Sequence, residues 1–527
     1  MGVIMTRPSD QDAINNPLPA LRPTLSRREL LGMIGVGALA CLHSGCMPGR
    51  DSSSRDGGLD GPIHFASLQD VARLIESGEL TSVELTELML ARIESIDSRL
   101  KSYATVMADH AREAARLADE EIRGGTFRGP LHGMPVAVKD LCYTKGVRTM
   151  GGSGALSDLV PEYDATVVTK LKESGAVLLG KLNLTEGAMG GYHADFELPV
   201  NPWQEELWAG ASSSGSGVAT AAGLCFASLG SDTGGSIRFP SMANGVVGLK
   251  PTYGRVSRYG VLPLAESLDH VGPMARTVSD TAIVLQAIAG HDPNDPTSLN
   301  EPVPDMLGEI RRGVSGTRIG FDAHYAMDGV DPNLVASIEA ALEVLDELGA
   351  EIVTVEIPEF PASLVDAWFA ICSYEAHRAH AATYPSRADR YGPYFREFLE
   401  IGSSVTDESY ANASRTRSEF SDQFRAVLET VDAVACPSGG APFSMPAAVQ
   451  YGGMAGFDPY MPNVLFQFTL PADFAGTPTI SLPCGARPDG TPQTIQFMGR
   501  ALSESMLCRI AYGYERATEW HTRHPAV

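Results

Sequence analysis

The chain has 527 residues, 44% of them hydrophobic and 20% charged, as in a globular protein with a sizeable core. Its length suggests about three domains, with one large α/β domain as the alternative. A formal net charge of -24, with no acidic run to account for it, argues against a nucleic-acid footprint and points to a generally acidic exterior.

The N-terminal residues stand apart from any fold. Ser26-Arg-Arg-Glu-Leu-Leu31 leads into a Gly- and Ala-rich apolar run from Leu30 to Leu42. Charged, apolar and small residues in that order match an export signal, and adjacent Arg27 and Arg28 match the twin-arginine type. The 13 positions of the run fall short of the roughly 20 needed to span a bilayer. Cys41 and Cys46 each close a segment similar to a bacterial lipoprotein acylation site, although Ala38 and His43 stand where a larger aliphatic residue is usual. Lipid anchoring at Cys46 or Cys41 and simple cleavage with release are the two alternatives. The chain therefore divides into a signal segment, 1–46, a flexible linker, 47–62, and the fold proper, 63–527. This places the protein outside the cytoplasm, in the periplasm or cell envelope of a bacterium.

Beyond Ile63, Ser67-Leu-Gln-Asp70 caps a first helix whose apolar stripe is Leu68, Val71, Leu74 and Ile75. A second follows Thr81-Ser-Val-Glu84, and helices continue to a stop at Gly124-Gly125. From Pro130 to Lys250, short apolar runs at 136–138, 176–179, 226–229 and 246–249 read as buried strands, with helices at 166–174 and 217–223 between them. That alternation predicts an α/β fold, a central mixed sheet covered by helices on both faces. A further strand–helix–strand unit spans 317–321, 332–348 and 351–357. Residues 360–430 turn helical and aromatic, with Trp368, Phe369, Tyr374, Tyr384, Tyr391, Tyr394, Phe395 and Phe398 available to wall a cleft or to pack helices. Strands near 476–485 and 496–499 and a helix from Glu504 to Trp520 close the chain.

Metal and disulfide chemistry have little support. Cys142, Cys225, Cys372, Cys436, Cys484 and Cys508 are scattered singly, without a C-x-x-C pair, and read as buried thiols. His377 and His380 form an H-x-x-H without a third ligand, a surface or structural pattern.

Acyl-transfer chemistry has more. Residues 231–240 read Ser-Asp-Thr-Gly-Gly-Ser-Ile-Arg-Phe-Pro, and Gly210-Ala-Ser-Ser-Ser-Gly-Ser-Gly217 lies just upstream. In Thr233-Gly-Gly-Ser236, consecutive glycines let successive N–H groups converge on one point, a nest for a tetrahedral oxyanion beside a serine hydroxyl. The chain lacks a G-x-S-x-G elbow here, and nothing marks His270, the nearest downstream histidine, as a base. Ser98-Arg-Leu-Lys101 matches S-x-x-K only in letters, at a helix end without a K-T-G partner. Lys139, at the end of the apolar run 136–138, is the better base, because burial favours its neutral amine. Its bland alternative is an ion pair with Asp140. Ser212, Ser213, Ser214 and Ser216 offer hydroxyls for a relay, or else cap the helix near Gly217.

These segments, with Val246-Val-Gly-Leu-Lys-Pro-Thr-Tyr-Gly-Arg255 and Ser267-Leu-Asp-His-Val-Gly-Pro-Met274, resemble the amidase signature family from about Ile63 to the C-terminus. The resemblance implies a single large domain, no cofactor and no metal. It implies a Ser–Ser–Lys triad with Ser236 as nucleophile, Lys139 as base and Ser212, 24 positions before the nucleophile, as a bridging serine on a cis peptide bond. Thr233, Gly234 and Gly235 match the oxyanion-hole positions. Ala211 and Ser214 depart from the pattern, replacing two glycines. The expected reaction is hydrolysis of a small-molecule carboxylic amide through an acyl-enzyme. Met189, Gly190 and Tyr192, in the segment 186–192, are the candidate substrate contacts with the aromatic region 368–398. Two other functions stay open: the A subunit of a tRNA-dependent amidotransferase, against which the leader speaks, and a non-catalytic binding protein, against which the intact triad speaks.

Overall fold

The computed structural model describes residues 61–527; the leader, the linker up to residue 60, and Cys41 and Cys46 lie outside them. The chain enters through the two predicted helices. Ser67 caps Leu68–Ser77 by accepting from Asp70 N, and a reciprocal Thr81–Glu84 capping box opens Ser82–Leu100.

Eleven strands then form one mixed sheet: β1 (Tyr103–Val106), β2 (Pro135–Lys139), β3 (Val177–Leu182), β4 (Ala227–Asp232), β5 (Val247–Lys250), β6 (His270–Ala275), β7 (Arg318–Phe321), β8 (Glu351–Thr354), β9 (Ala433–Pro437), β10 (Thr479–Ala486) and β11 (Pro492–Met498). Their order is β1-β3-β2-β4-β6-β5-β10-β11-β9-β7-β8. β2 runs parallel to both β3 and β4, whereas β4–β6, β5–β6 and β5–β10 are antiparallel. β2, β3, β4 and β5 are buried along their whole length, which is why they read as short apolar runs and not as alternating ones, whereas β6, equally buried, is absent from the sequence reading. The described residues form one compact unit, so the three-domain prior gives way to the single α/β domain.

Element boundaries differ from the local pattern where tertiary pairing overrides it. β4 extends past Leu229 to Asp232 because β6 pairs with it up to Asp232↔His270. The helix expected at 217–223 begins at Ser214, so Ser214 and Ser216 lie inside it. The aromatic stretch supplies three helices, Ala362–Ala379, Pro393–Ser404 and Asp407–Leu428. All six described cysteines are free and buried. Among the described residues, no helix is long and apolar enough to cross a membrane, and no group of three or more His, Cys, Asp or Glu could hold a metal ion.

Candidate active site

The register Val138↔Leu229 brings the carboxyl ends of β2 and β4 side by side. Lys139 ends β2, and Ser231 and Asp232 end β4. The helix Ser214–Ala221 starts against them, preceded by a cis Ala211–Ser212 peptide bond. Lys139 is wholly buried, and its Nζ lies 2.6 Å from Ser212 Oγ, 2.8 Å from Ser231 Oγ and 2.9 Å from Ser213 Oγ. The alternative pairing with Asp140 does not form, because Asp140 Oδ1 faces Lys181 Nζ at 3.2 Å. With hydroxyls alone around it, Lys139 has no carboxylate to hold its charge. Burial pushes the amine down to about 7, against the weaker opposing pull of Cys142, Asp232 and Asp269.

The loop from Thr233 to Ile237 is shaped by Asp232. Its carboxylate accepts from Gly235 N at 2.7 Å and Ile237 N at 2.9 Å. Fully buried Arg238 clamps it from Nε at 3.1 Å and Nη2 at 2.9 Å, and also reaches Asp473 Oδ2 at 2.6 Å. Burial alone would raise the Asp232 carboxyl, but the Arg238 charge and hydrogen bonds outweigh it and hold Asp232 well below the usual carboxylate range. Thr233 donates its hydroxyl to Asp269 at 2.6 Å and accepts from Trp368 Nε1 on its carbonyl at 2.9 Å. The N–H groups of Thr233, Gly234 and Ser236 donate to no group among the described residues, whereas that of Gly235 is committed to Asp232. Gly235 therefore drops out of the expected donor set, and Ser236 N–H takes its place as a free donor. Ser236 is half-buried, and its carbonyl accepts from Ser213 N at 3.2 Å.

Ser212, Thr233, Gly234 and Ser236 open onto a cavity of about 200 Å³. Its walls are apolar: Trp208, Phe239, Val365, Trp368, Phe369, Met445, Met454, Phe457, Met461, Val464 and Phe466. Asp458, an exposed residue, is the one charged side chain among the lining residues. Met189 and Gly190 line the cavity, and Tyr394 closes over Gly190. Tyr192 does not line it. Its ring is buried, with its hydroxyl 2.6 Å from Ser214 Oγ, so it braces the helix start from behind. Of the eight aromatics between 368 and 398, three reach the cavity: Trp368, Phe369 and Tyr394. The others pack among neighbours, as Tyr374 does on Tyr410 and Phe395 on Phe398.

The remaining serines have fixed jobs. Ser213 precedes the helix without capping it and instead donates to Ser231 O at 3.1 Å, while Ser216 donates to Leu229 O at 2.9 Å. His270 is buried, its Nδ1 is 3.2 Å from Asp232 O, and burial drives it far below the usual imidazole range. His377 and His380 address Leu399 O and the Tyr391 hydroxyl. Four residues that hold the site, Asp232, Arg238, Ser231 and Asp473, are given no role by the sequence reading. Three of them stand between Ser231 and Pro240, where an Asp and an Arg six apart among small and apolar neighbours are the one signal the sequence offers.

Known proteins resemble this chain over most of its length. "Putative amidase AmiD" of Mycobacterium tuberculosis is 45% identical over 465 residues, covering 88% of this chain and 97% of that protein. A glutamyl-tRNA(Gln) amidotransferase, in its A component from Geobacter metallireducens, is 40% identical over 475 residues, 85% of this chain and 96% of that protein. The structure of a native peptide amidase from Stenotrophomonas maltophilia superposes with a TM-score of 0.76 at 32% identity, over 88% of this chain and 98% of that one. The family model described as Amidase matches residues 84–508, and the chain belongs to the amidase signature family of amide hydrolases.

Proposed function

We propose that the protein hydrolyses a small, neutral, non-peptide carboxylic amide through an acyl-enzyme on Ser236. The observation that carries this reading is Lys139, wholly buried and touching three serine hydroxyls without a carboxylate partner. Neutral Lys139 takes the proton of Ser212, which takes that of Ser236 as the Ser236 oxygen attacks the amide carbonyl. The oxyanion is held by the free N–H groups of Thr233, Gly234 and Ser236, a donor set in which each member is typically worth about 10²–10³ in turnover. The proton returns through Ser212 to the leaving nitrogen, the C–N bond breaks, and water releases the acid by the same relay.

The cavity supports an apolar substrate. Its walls offer aromatic and methionine side chains and no cation, so a substrate carboxylate would be buried without a partner. That weighs against an amide that carries a free carboxylate, such as glutamine. The twin-arginine leader supports an exported enzyme, which fractionation of the producing cell would test.

Ammonia release from a panel of primary amides tests the reading. Aryl and branched aliphatic amides should exceed glutamine in kcat/KM, and Ser236→Ala should abolish turnover. Glutamine as the best substrate, or an active Ser236→Ala variant, would overturn it.

A further inference from the structure

The hydrogen bonds around Lys139 leave one proton without a protein acceptor. Ser213 Oγ is saturated: it donates to Ser231 O at 3.1 Å and accepts from Ser231 N at 3.2 Å and from Lys139 Nζ at 2.9 Å. One lysine N–H is thereby fixed on Ser213. A neutral amine has one further N–H and one lone pair, to be divided between Ser212 at 2.6 Å and Ser231 at 2.8 Å. With the lone pair on Ser212, the Ser212 proton can pass to the lysine. With the lone pair on Ser231, the lysine N–H occupies Ser212, and no proton can leave Ser236. Only the first arrangement works, and it obliges Ser231 to accept from lysine and send its own proton elsewhere.

The structure offers a destination. Ser231 also lines a second cavity of about 310 Å³, with Arg258, Asp269, His270, Asn294, Asp295 and Thr297 among its polar walls. Ala188 and Leu264 line both this cavity and the substrate cavity, so the two lie back to back. At about 30 Å³ per water, there is room for several. The hydroxyl of Ser231 donates to no protein group among the described residues, which leaves solvent as its acceptor.

We propose that Ser231 is a positioning residue of the proton relay: it accepts an N–H from Lys139, gives its own proton to water in the second cavity, and so holds the lysine lone pair on Ser212. This rests on the Ser236–Ser212–Lys139 reading. No covalent bond changes in the step; only the direction of two hydrogen bonds is set.

The experiment compares Ser231→Ala, Ser231→Thr and Ser236→Ala on one neutral amide across pH. The ammonium form of Lys139 donates to all three serines, so removing one acceptor disfavours it more than the neutral form. Asp232, Asp269 and Cys142, the other titratable groups acting on Lys139, are unchanged in the variant. Ser231→Ala should therefore move the ascending limb of kcat/KM to lower pH by about one unit and cut kcat about tenfold, with KM unchanged. Ser231→Thr should restore both. Should Ser231→Ala fail to fold, Ser231→Cys replaces it, since a thiol fills the site but is a weak donor and acceptor. A wild-type kcat and limb in the hydroxyl-less variant, or a threonine variant no better than it, overturns the proposal. An active Ser236→Ala variant would instead sink the parent reading, whatever Ser231 does.

Discussion

Replacing Lys139 by methionine tests the effect of burial on the amine without any substrate. The folded amine sits at about 7 against an ordinary value of 10.5, so the unfolded chain holds a proton that the folded chain gives up. A base lowered in this way makes stability rise with pH between those two values, because the unfolded state binds more protons there. Integrating the two titrations, the group costs about 4 kcal/mol of stability at pH 7 and about 2 kcal/mol at pH 9. Methionine cannot titrate, and the other groups largely cancel when the two proteins are compared. Urea unfolding at pH 7, 8 and 9 should therefore show wild type gaining about 2 kcal/mol on Lys139→Met over that range. The absolute offset is less informative, since Ser212 and Ser231 each lose a partner at a cost of about 1–3 kcal/mol. A difference constant to within about 0.5 kcal/mol from pH 7 to 9 would refute the claim that burial neutralises this lysine.

Arg238→Met should cost about 3–5 kcal/mol in unfolding free energy, because Asp232 and Asp473 would be left buried with no guanidinium between them. A stability equal to wild type would show that the clamp does not hold the loop. Gly235→Ala should lower kcat about 10²-fold with a smaller change in KM, since the new Cβ would run into the Phe239 ring at a φ of +124° and displace the donors beside Ser236. Unimpaired turnover would mean that the loop geometry is not what binds the oxyanion.

Much of the site was legible because its chemistry sits in short contiguous segments. The run 136–138 followed by Lys139 is a buried strand with its lysine at the end, and Thr233-Gly-Gly-Ser236 is a loop with free donors. What stayed hidden depends on pairing across long sequence distances. Gly235 looks like an oxyanion donor until the Asp232 carboxylate is seen to occupy its N–H. Tyr192 looks like a pocket residue until its hydroxyl is found on Ser214, behind the wall. The cavity itself joins Trp208, Phe239, Trp368, Met454 and Phe466, which no local pattern connects. Its apolar character could be read only after the fold had assembled it.

The two buried lysines on neighbouring strands show why a lysine at the end of an apolar run does not by itself announce a base. Lys139 on β2 and Lys181 on β3 are equally inaccessible, and both follow small or branched apolar residues. The register pairs Val138 with Lys181 and Lys139 with Leu182, so they sit one residue out of step across the sheet. That offset decides their chemistry. Lys181 Nζ meets Asp140 Oδ1 at 3.2 Å, the Cys142 carbonyl at 2.7 Å and Thr149 Oγ1 at 2.7 Å, a set that includes a carboxylate. Lys139 meets only hydroxyls, which accept from an ammonium ion but serve a neutral amine as well, because a hydroxyl such as that of Ser212 can also donate. Asp140 is adjacent to Lys139 in sequence, yet it serves the other lysine. The carboxylate next to Lys139 in sequence is thus drawn to a second lysine, and Asp140→Asn should leave Lys139 untouched while destabilising the Lys181 site, a contrast that unfolding and activity measurements on one variant would read together.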